Sequence, residues 1–343
     1  MAHPDAPDAP APGLSAFRVL VAAAALVVCI AGLKSVAPIL SVFLFALILA
    51  MSLSPLALLF LRWGAPQSLA VTLTVLAFVV VFVGIVGVLG VSLAELGQRM
   101  PDYAARLAAL RDDLFARLAA AGMDTAGLER LDVLNPSRLV GPAASLLGAV
   151  ASGLGSGIFL ILLTVLFLVE LVALQQRPAP AAGPGAFARR FQAIGEDVRL
   201  YVGITGVTGA ICAVAHFGVM AALGVPFALT WGVLTFLLNF VPAIGGLLSL
   251  APPTLLALLE LGWPQAAGVV VSFVVINFLT DNILKPRLMA KSVEISLVGI
   301  FFALVFWGWV LGPVGAFASV PIAITLKKLY REFEGSARQA LGG

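Results

Sequence analysis

Four stretches of this chain, residues 19–33, 39–61, 69–93 and 143–169, carry no charged side chain. A hydrocarbon core about 30 Å thick accepts roughly 20 such residues as one α-helix, which bonds all of its own backbone N–H and C=O groups. The expected fold class is therefore an all-α, polytopic integral membrane protein. Composition agrees, with 61% hydrophobic and only 11% charged residues, where a soluble domain carries about 25% charge. The first stretch is short for a span. Lys34 and Pro38 follow it, however, and no Ala-x-Ala site leads into a polar chain, so it reads as a retained span rather than a leader. The net charge of +3, spread over many loops, offers no nucleic-acid surface. Cys29 and Cys212 lie in apolar sequence and read as small buried hydrophobes, not as a disulfide or metal pair.

Short basic flanks gather on the cytoplasmic side of a membrane protein. Arg18, Arg62 and residues 177–199, 285–291 and 327–331 are such flanks. Placing them all inside orders the chain. A disordered tail (1–15) precedes three spans (16–94), an extracytoplasmic helical segment (95–142) and a fourth span (143–176). A cytoplasmic linker with a short helix (177–200), a transport core (201–327) and a cytoplasmic tail (328–343) complete it. The expected location is the bacterial inner membrane, with both termini cytoplasmic. Within the outer segment Met100, Tyr103, Leu107, Leu110, Leu114 and Leu118 recur at three- and four-residue steps. Glu95/Arg99, Asp102/Arg106 and Asp113/Arg117 sit four apart on the other face, the pattern of an amphipathic helix on, or packed against, the outer surface. Asn135-Pro136 would cap the helix that leads into span four.

The C-terminal half contains two apolar segments too long for one span, 227–261 and 295–325, each interrupted by glycine and proline. If each were a single helix, the basic flanks could not all lie inside. If each is a hairpin of two half-length helices of roughly 15 residues, every flank agrees. This half therefore reads as span, hairpin, span, hairpin, the two units inverted relative to one another. Broken helices of this kind expose backbone groups within the membrane and point to a transporter's binding site, with kinked packing helices as the alternative.

The stretch Trp231-Gly-Val-Leu-Thr-Phe-Leu-Leu-Asn239-Phe-Val-Pro242-Ala-Ile-Gly245 resembles the signature of the autoinducer-2 exporter (AI-2E) family. Asp281-Asn282-Ile-Leu-Lys-Pro286-Arg287-Leu-Met289, Phe306-Trp307-Gly308-Trp309-Val-Leu-Gly312-Pro313-Val-Gly315 and Val320-Pro321 are similar to its later motifs, in order and spacing. Tyr201-Val-Gly-Ile-Thr205 is similar to its span-five entrance. The likeness implies export of small signalling molecules, or sodium(lithium)/proton antiport, by a homo-oligomer. Two positions depart from the pattern: Asp281 stands where a small residue is usual and Lys285 where an acid is usual.

An ionisable side chain within a span costs a few kcal/mol to insert, so each one calls for a reason. Asp281 has Asn277 four residues before it and Lys285 four after, all on one helical face, with Thr280 and Asn282 on the adjoining faces. The group reads as a cation or proton site, or alternatively as an Asp281–Lys285 ion pair. Asn239, one turn before Pro242, reads as part of the substrate or ion pathway or as a helix–helix hydrogen bond. Gly245, Gly246, Gly312 and Gly315, with Pro313, would let the hairpin tips turn or approach a substrate closely. His216, in mid-span, reads as a proton relay or as a packed histidine. Glu260 reads as structural, at the outer boundary. Trp231, Trp263, Trp307 and Trp309 read as interface anchors or packing. Small-residue stripes at Ala144/Gly148, Ser152/Ser156, Gly153/Gly157 and Gly203/Gly206/Gly209 suit close helix contact.

No phosphate-binding loop is present to use ATP, and no metalloprotease, nucleophile-elbow or paired-aspartate pattern to make an enzyme. The expected partners are membrane lipids and a small polar solute or cation, with H+ or Na+ as coupling ion and no cofactor. Within transport, exporter and antiporter stay open. A non-transporting scaffold for envelope partners, built on the charged outer helix, is the reading from another class.

Overall fold

In the computed structural model, residues 12–121, 157–176, 186–242, 244–288 and 296–341 are described, and no strand occurs among them. Their helices are α1 (Pro12–Ser35), α2 (Ala37–Arg62), α3 (Gln67–Ala120), α4 (Gly157–Gln176), α5 (Ala186–Ala222), α6 (Ala228–Leu238), α7 (Gly245–Glu260) and α8 (Trp263–Leu279). A π-helical stretch, Thr280–Leu284, carries α8 into the single-turn α9 (Lys285–Leu288), and α10 (Leu297–Leu311) and α11 (Pro313–Leu341) follow. Among the described residues, six helices are long and apolar enough to cross a membrane. The chain is an all-α polytopic membrane protein.

Four expected boundaries fall inside helices. The 94/95 boundary falls inside α3, which runs for 54 residues without a break. At 1.5 Å per residue that is about 81 Å, far more than a bilayer, so one rod serves as both span and amphipathic extension. The 200/201 boundary falls inside α5, of 37 residues, and the 327/328 boundary inside α11, of 29 residues. Each expected boundary marked a change from apolar to polar composition, and a helix carries its hydrogen bonds through such a change undisturbed. α1 starts at Pro12, so the last residues of the expected tail are helical. Asn135-Pro136, the Ala144–Ser156 part of the small-residue stripe, the linker at 177–185 and Met289 lie outside the described residues.

Both overlong segments are broken hairpins. α6 and α7 are separated at Asn239–Ile244 and pack side by side; α10 and α11 are separated at Gly312. Two glycines permit the closeness of the paired helices. A Cβ on Gly245 would lie 2.0 Å from the Leu238 carbonyl oxygen, and one on Gly315 would lie 1.9 Å from that of Trp307. Gly312, at the second break, supplies left-handed backbone, with φ +69°.

The hairpins are held by different neighbours. The part of α3 beyond its apolar run packs Leu96 and Tyr103 into a core with Met220, Trp231, Leu234, Leu256 and Phe273. Thr230 Oγ1 donates to Ser92 Oγ at 2.5 Å. The Tyr103 hydroxyl donates to Glu260 Oε1 at 2.5 Å, and Arg106 donates to the Leu259 carbonyl at 3.4 Å. α3 therefore clamps both outer ends of the first hairpin, and Glu260 is structural. Trp231, 2% exposed, is a core residue whose indole N–H donates to the Pro226 carbonyl. The second hairpin lies on α2, where Ser41 Oγ donates to the Leu311 carbonyl at 3.1 Å. At the opposite end of α5 from Glu260, Lys328 on α11 pairs with Asp197 at 2.5 Å.

Gly245→Ala and Gly315→Ala are each expected to abolish accumulation of folded protein in the membrane. Gly246→Ala, whose Cβ would meet nothing nearer than Asn277 Nδ2 at 3.7 Å, should accumulate normally; size-exclusion profiles in detergent separate the outcomes.

Burial first, and then the bond to Glu260, pushes the Tyr103 phenol up to about 12. A folded-state value above the ordinary one near 10 means the clamp's contribution is complete below about pH 10 and is lost as pH rises toward about 12. A phenolate difference spectrum, native minus Tyr103→Phe, should show this phenol ionising only in that window.

Candidate functional site

The break after α6 leaves backbone groups unbonded by the helix, and the sequence supplies an amide side chain at that point. Asn239 Nδ2 donates to the Thr205 carbonyl on α5 at 2.8 Å. Its Oδ1 accepts from Lys285 Nζ at 3.4 Å, and Lys285 pairs with Asp281 Oδ1 at 2.7 Å. Three separate segments, the α5 span, the hairpin tip and the turn after α8, therefore meet in one chain of polar groups. Thr205 lies ten residues into the Gly195–Ala222 span, and Asn239 of the hairpin tip packs against it. An ammonium has three donors, and these two acceptors use two of them.

The turn that brings Lys285 and Asp281 in is the π-helical one, Thr280–Leu284. An i→i+5 turn inserts one residue into the α-helical repeat and re-aims the side chains after it, and such bulges are frequent at functional sites. Thr280 is buried at its start and shares a hydrogen bond with Cys212 Sγ at 3.1 Å, tying the bulge to α5. Cys212 thus has a polar bond rather than merely the packing role expected of it.

The Asn239 side chain packs closely on Gly209 of α5. A Cβ on Gly209 would lie 2.9 Å from Asn239 Nδ2, whereas at Gly203 there would be nothing within 4 Å. Of the glycine stripe on α5, then, Gly209 seats the site residue and Gly203 makes no close contact. Phe240, next in sequence, turns to the second hairpin and stacks on Phe317, with ring centroids 4.4 Å apart.

The other expected residues distribute as follows. Asn277 sits beside Gly246, one helical turn from the cluster. Pro242 lies in the tip, where its carbonyl accepts from the Ile244 N–H at 2.7 Å. Asn282 is exposed and bonds back to the Phe278 carbonyl at 3.1 Å, so it belongs to its own helix rather than to the cluster. Gly312, Pro313 and Gly315 form the second tip, against α2, and do not join the first. The His216 ring, 0% exposed, is stacked on Phe273 at 3.7 Å. Neither of its nitrogens has a hydrogen-bond partner among the described residues. Among these residues no cluster of His, Cys, Asp and Glu could hold a metal ion.

Sequence reasoning placed Lys285 beside Asp281 but missed its bond to Asn239, and it missed Thr205 and Gly209 as the seat of that side chain. Pairing α5 with the hairpin tip would have required contact information that spacing within one helix does not contain.

The pattern of the AI-2E family transporter matches residues 22–335. The AI-2 transport protein TqsA of Escherichia coli K12 is 32% identical over 320 residues, covering 92% of each chain. A Haemophilus influenzae protein named as a candidate transport protein is 30% identical, covering 95% of this chain and 96% of its own. The similarly named YhhT of Escherichia coli K12 is 29% identical, covering 97% and 96%.

Gly209→Ala should displace Asn239 and cost about 1–3 kcal/mol, the price of an unmade buried hydrogen bond. Gly203→Ala should be neutral or slightly stabilising. Thermal melts of the two purified variants give the comparison.

Proposed function

The chain belongs to the AI-2E family of transporters, and from that membership we propose that it exports a small, uncharged, polar signal molecule of the autoinducer-2 kind from the cytoplasm. The name of the relative TqsA supports the solute class. The basic flanks support an orientation with Arg62, Lys285–Arg287 and Lys327–Arg331 at the cytoplasmic face of a bacterial inner membrane, both termini on that side. Lipid, or further copies of the chain in a homo-oligomer, would cover the exposed apolar faces of α1 and α8.

One observation carries the choice of an uncharged solute: the Asp281 carboxylate already holds the Lys285 ammonium at 2.7 Å. A sodium or lithium ion at that carboxylate would sit against a fixed positive charge, whereas hydroxyl and carbonyl groups find donors and acceptors in Lys285 and Asn239. Of the two coupling ions considered, H+ fits better than Na+.

Everted membrane vesicles containing the protein should accumulate labelled autoinducer-2. Asn239→Ala and Lys285→Met should lower the initial rate at least tenfold, with normal insertion and melting. Sodium and lithium pulses on liposomes loaded with a pH dye should give no proton flux. Cation-driven proton flux that Asp281→Asn removes would replace the exporter by an antiporter. If folded protein moved neither solute nor ions, while deletion of the α3 extension abolished its biological role, the scaffold reading would stand.

A further inference from the structure

We propose that His216 is a second solute-binding position on the same pathway, deeper toward the Glu260 end, and that Phe273 covers it in the present conformation. The inference rests on the export reading for its solute but not for its geometry.

The starting observation is an unmet need. Both imidazole nitrogens of His216 are buried, and neither has a hydrogen-bond partner among the described residues. Nine in ten or more buried polar groups in folded proteins are bonded, and an unmade bond costs on the order of 1–3 kcal/mol. Packing alone does not call for a histidine here. A phenylalanine would stack on Phe273 equally well and leave no polar atom in the core.

The position of the ring suggests what meets that need. Thr205, Gly209, Cys212 and His216 step by four, three and four residues, so they share one face of α5. Phe273, Asn277 and Thr280 step by four and three along the facing stretch of α8. The pairs are visible in the packing: Asn239 lies on Thr205 and Gly209, Thr280 on Cys212, and Phe273 on His216. A polar column thus follows the α5–α8 seam, with Asn239 and Lys285 at one end and His216 at the other. Eleven residues separate Thr205 from His216 along α5, about 16 Å of helix. That distance leads along the span toward the end clamped by α3.

At that end the column is shut. Phe273 is stacked on the ring and belongs to a buried core with Trp231, Leu234 and Met220. A shift of α8 along α5 that lifts Phe273 would open His216 to whatever occupies the column. Neutral imidazole offers one donor and one acceptor, which matches the hydroxyl or hydroxyl–carbonyl groups of a small uncharged solute, with water filling the position between turnovers.

The chain has two histidines, His3 and His216, so diethyl pyrocarbonate on the native protein in liposomes, read by peptide mass spectrometry, tests accessibility directly. Slow modification of His216 is expected, reduced severalfold by autoinducer-2. Full reaction of His3 with none at His216 overturns the proposal. In everted vesicles His216→Phe should lower autoinducer-2 transport at least tenfold while melting at or above the native temperature, and His216→Gln should keep most of the rate. Native transport by His216→Phe would equally overturn it. If the native chain does not move autoinducer-2, the export reading fails by itself; modification of His216 without solute then still decides whether the ring lies on a water-accessible path.

Discussion

A helix can be interrupted inside a bilayer only where other groups replace the hydrogen bonds it gives up. The rest of this structure depends on how its two interruptions meet that demand. At the first, the tip closes on itself, with Val241 N–H donating to the Leu238 carbonyl and Gly245 N–H to that of Val241. The Asn239 side chain then ties the tip to Thr205 on α5. At the second, Gly312 turns the chain and Ser41 on α2 reaches over to bond the Leu311 carbonyl. The first solution brings an amide, an ammonium and a carboxylate together. The second brings one hydroxyl and leaves no charge.

The anchoring of the two hairpins follows from the same difference. The first is gripped at its outer ends by α3, through Ser92, Arg99, Tyr103 and Arg106, so those ends and the rod form one packed body. The second shares a core with α2 and α5, and its Phe317 meets Phe240 of the first tip edgewise to Phe45. Apolar stacking of this kind resists no sideways motion through directional bonds, unlike the Lys285–Asn239–Thr205 chain. Relative movement between the hairpins would cost less at the Phe240–Phe317 contact than a movement that pulled Asn239 from its seat.

What could be read from the sequence follows the same physical line. Segment length, charge-free runs and Gly/Pro interruptions are local quantities, and they located the spans and both hairpins. The Gly245 and Gly315 positions were legible for that reason, since a tip that doubles back needs small residues. The continuity of α3 was not legible, because composition changes from apolar to charged at Glu95 while the backbone bonds do not. The π-helical turn at Thr280 was not legible either. It adjusts the aim of Asp281 and Lys285 toward a partner, Asn239, that is 46 residues from Lys285 in sequence. Nothing within one helix announces such a need. Asn282 shows the converse: its neighbours in sequence suggest a shared site, and its side chain bonds back to its own helix.

The acid at 281 and the base at 285 gain a meaning from the geometry. An acid at 281 and a base at 285, read singly, are two costly charges in a span. Together they form a pair at 2.7 Å, and the cost of each is reduced by the other. The base also reaches the hairpin tip, so the pair holds the turn after α8 against the break after α6. The arrangement thus puts an ammonium, paired with a carboxylate, beside the break after α6.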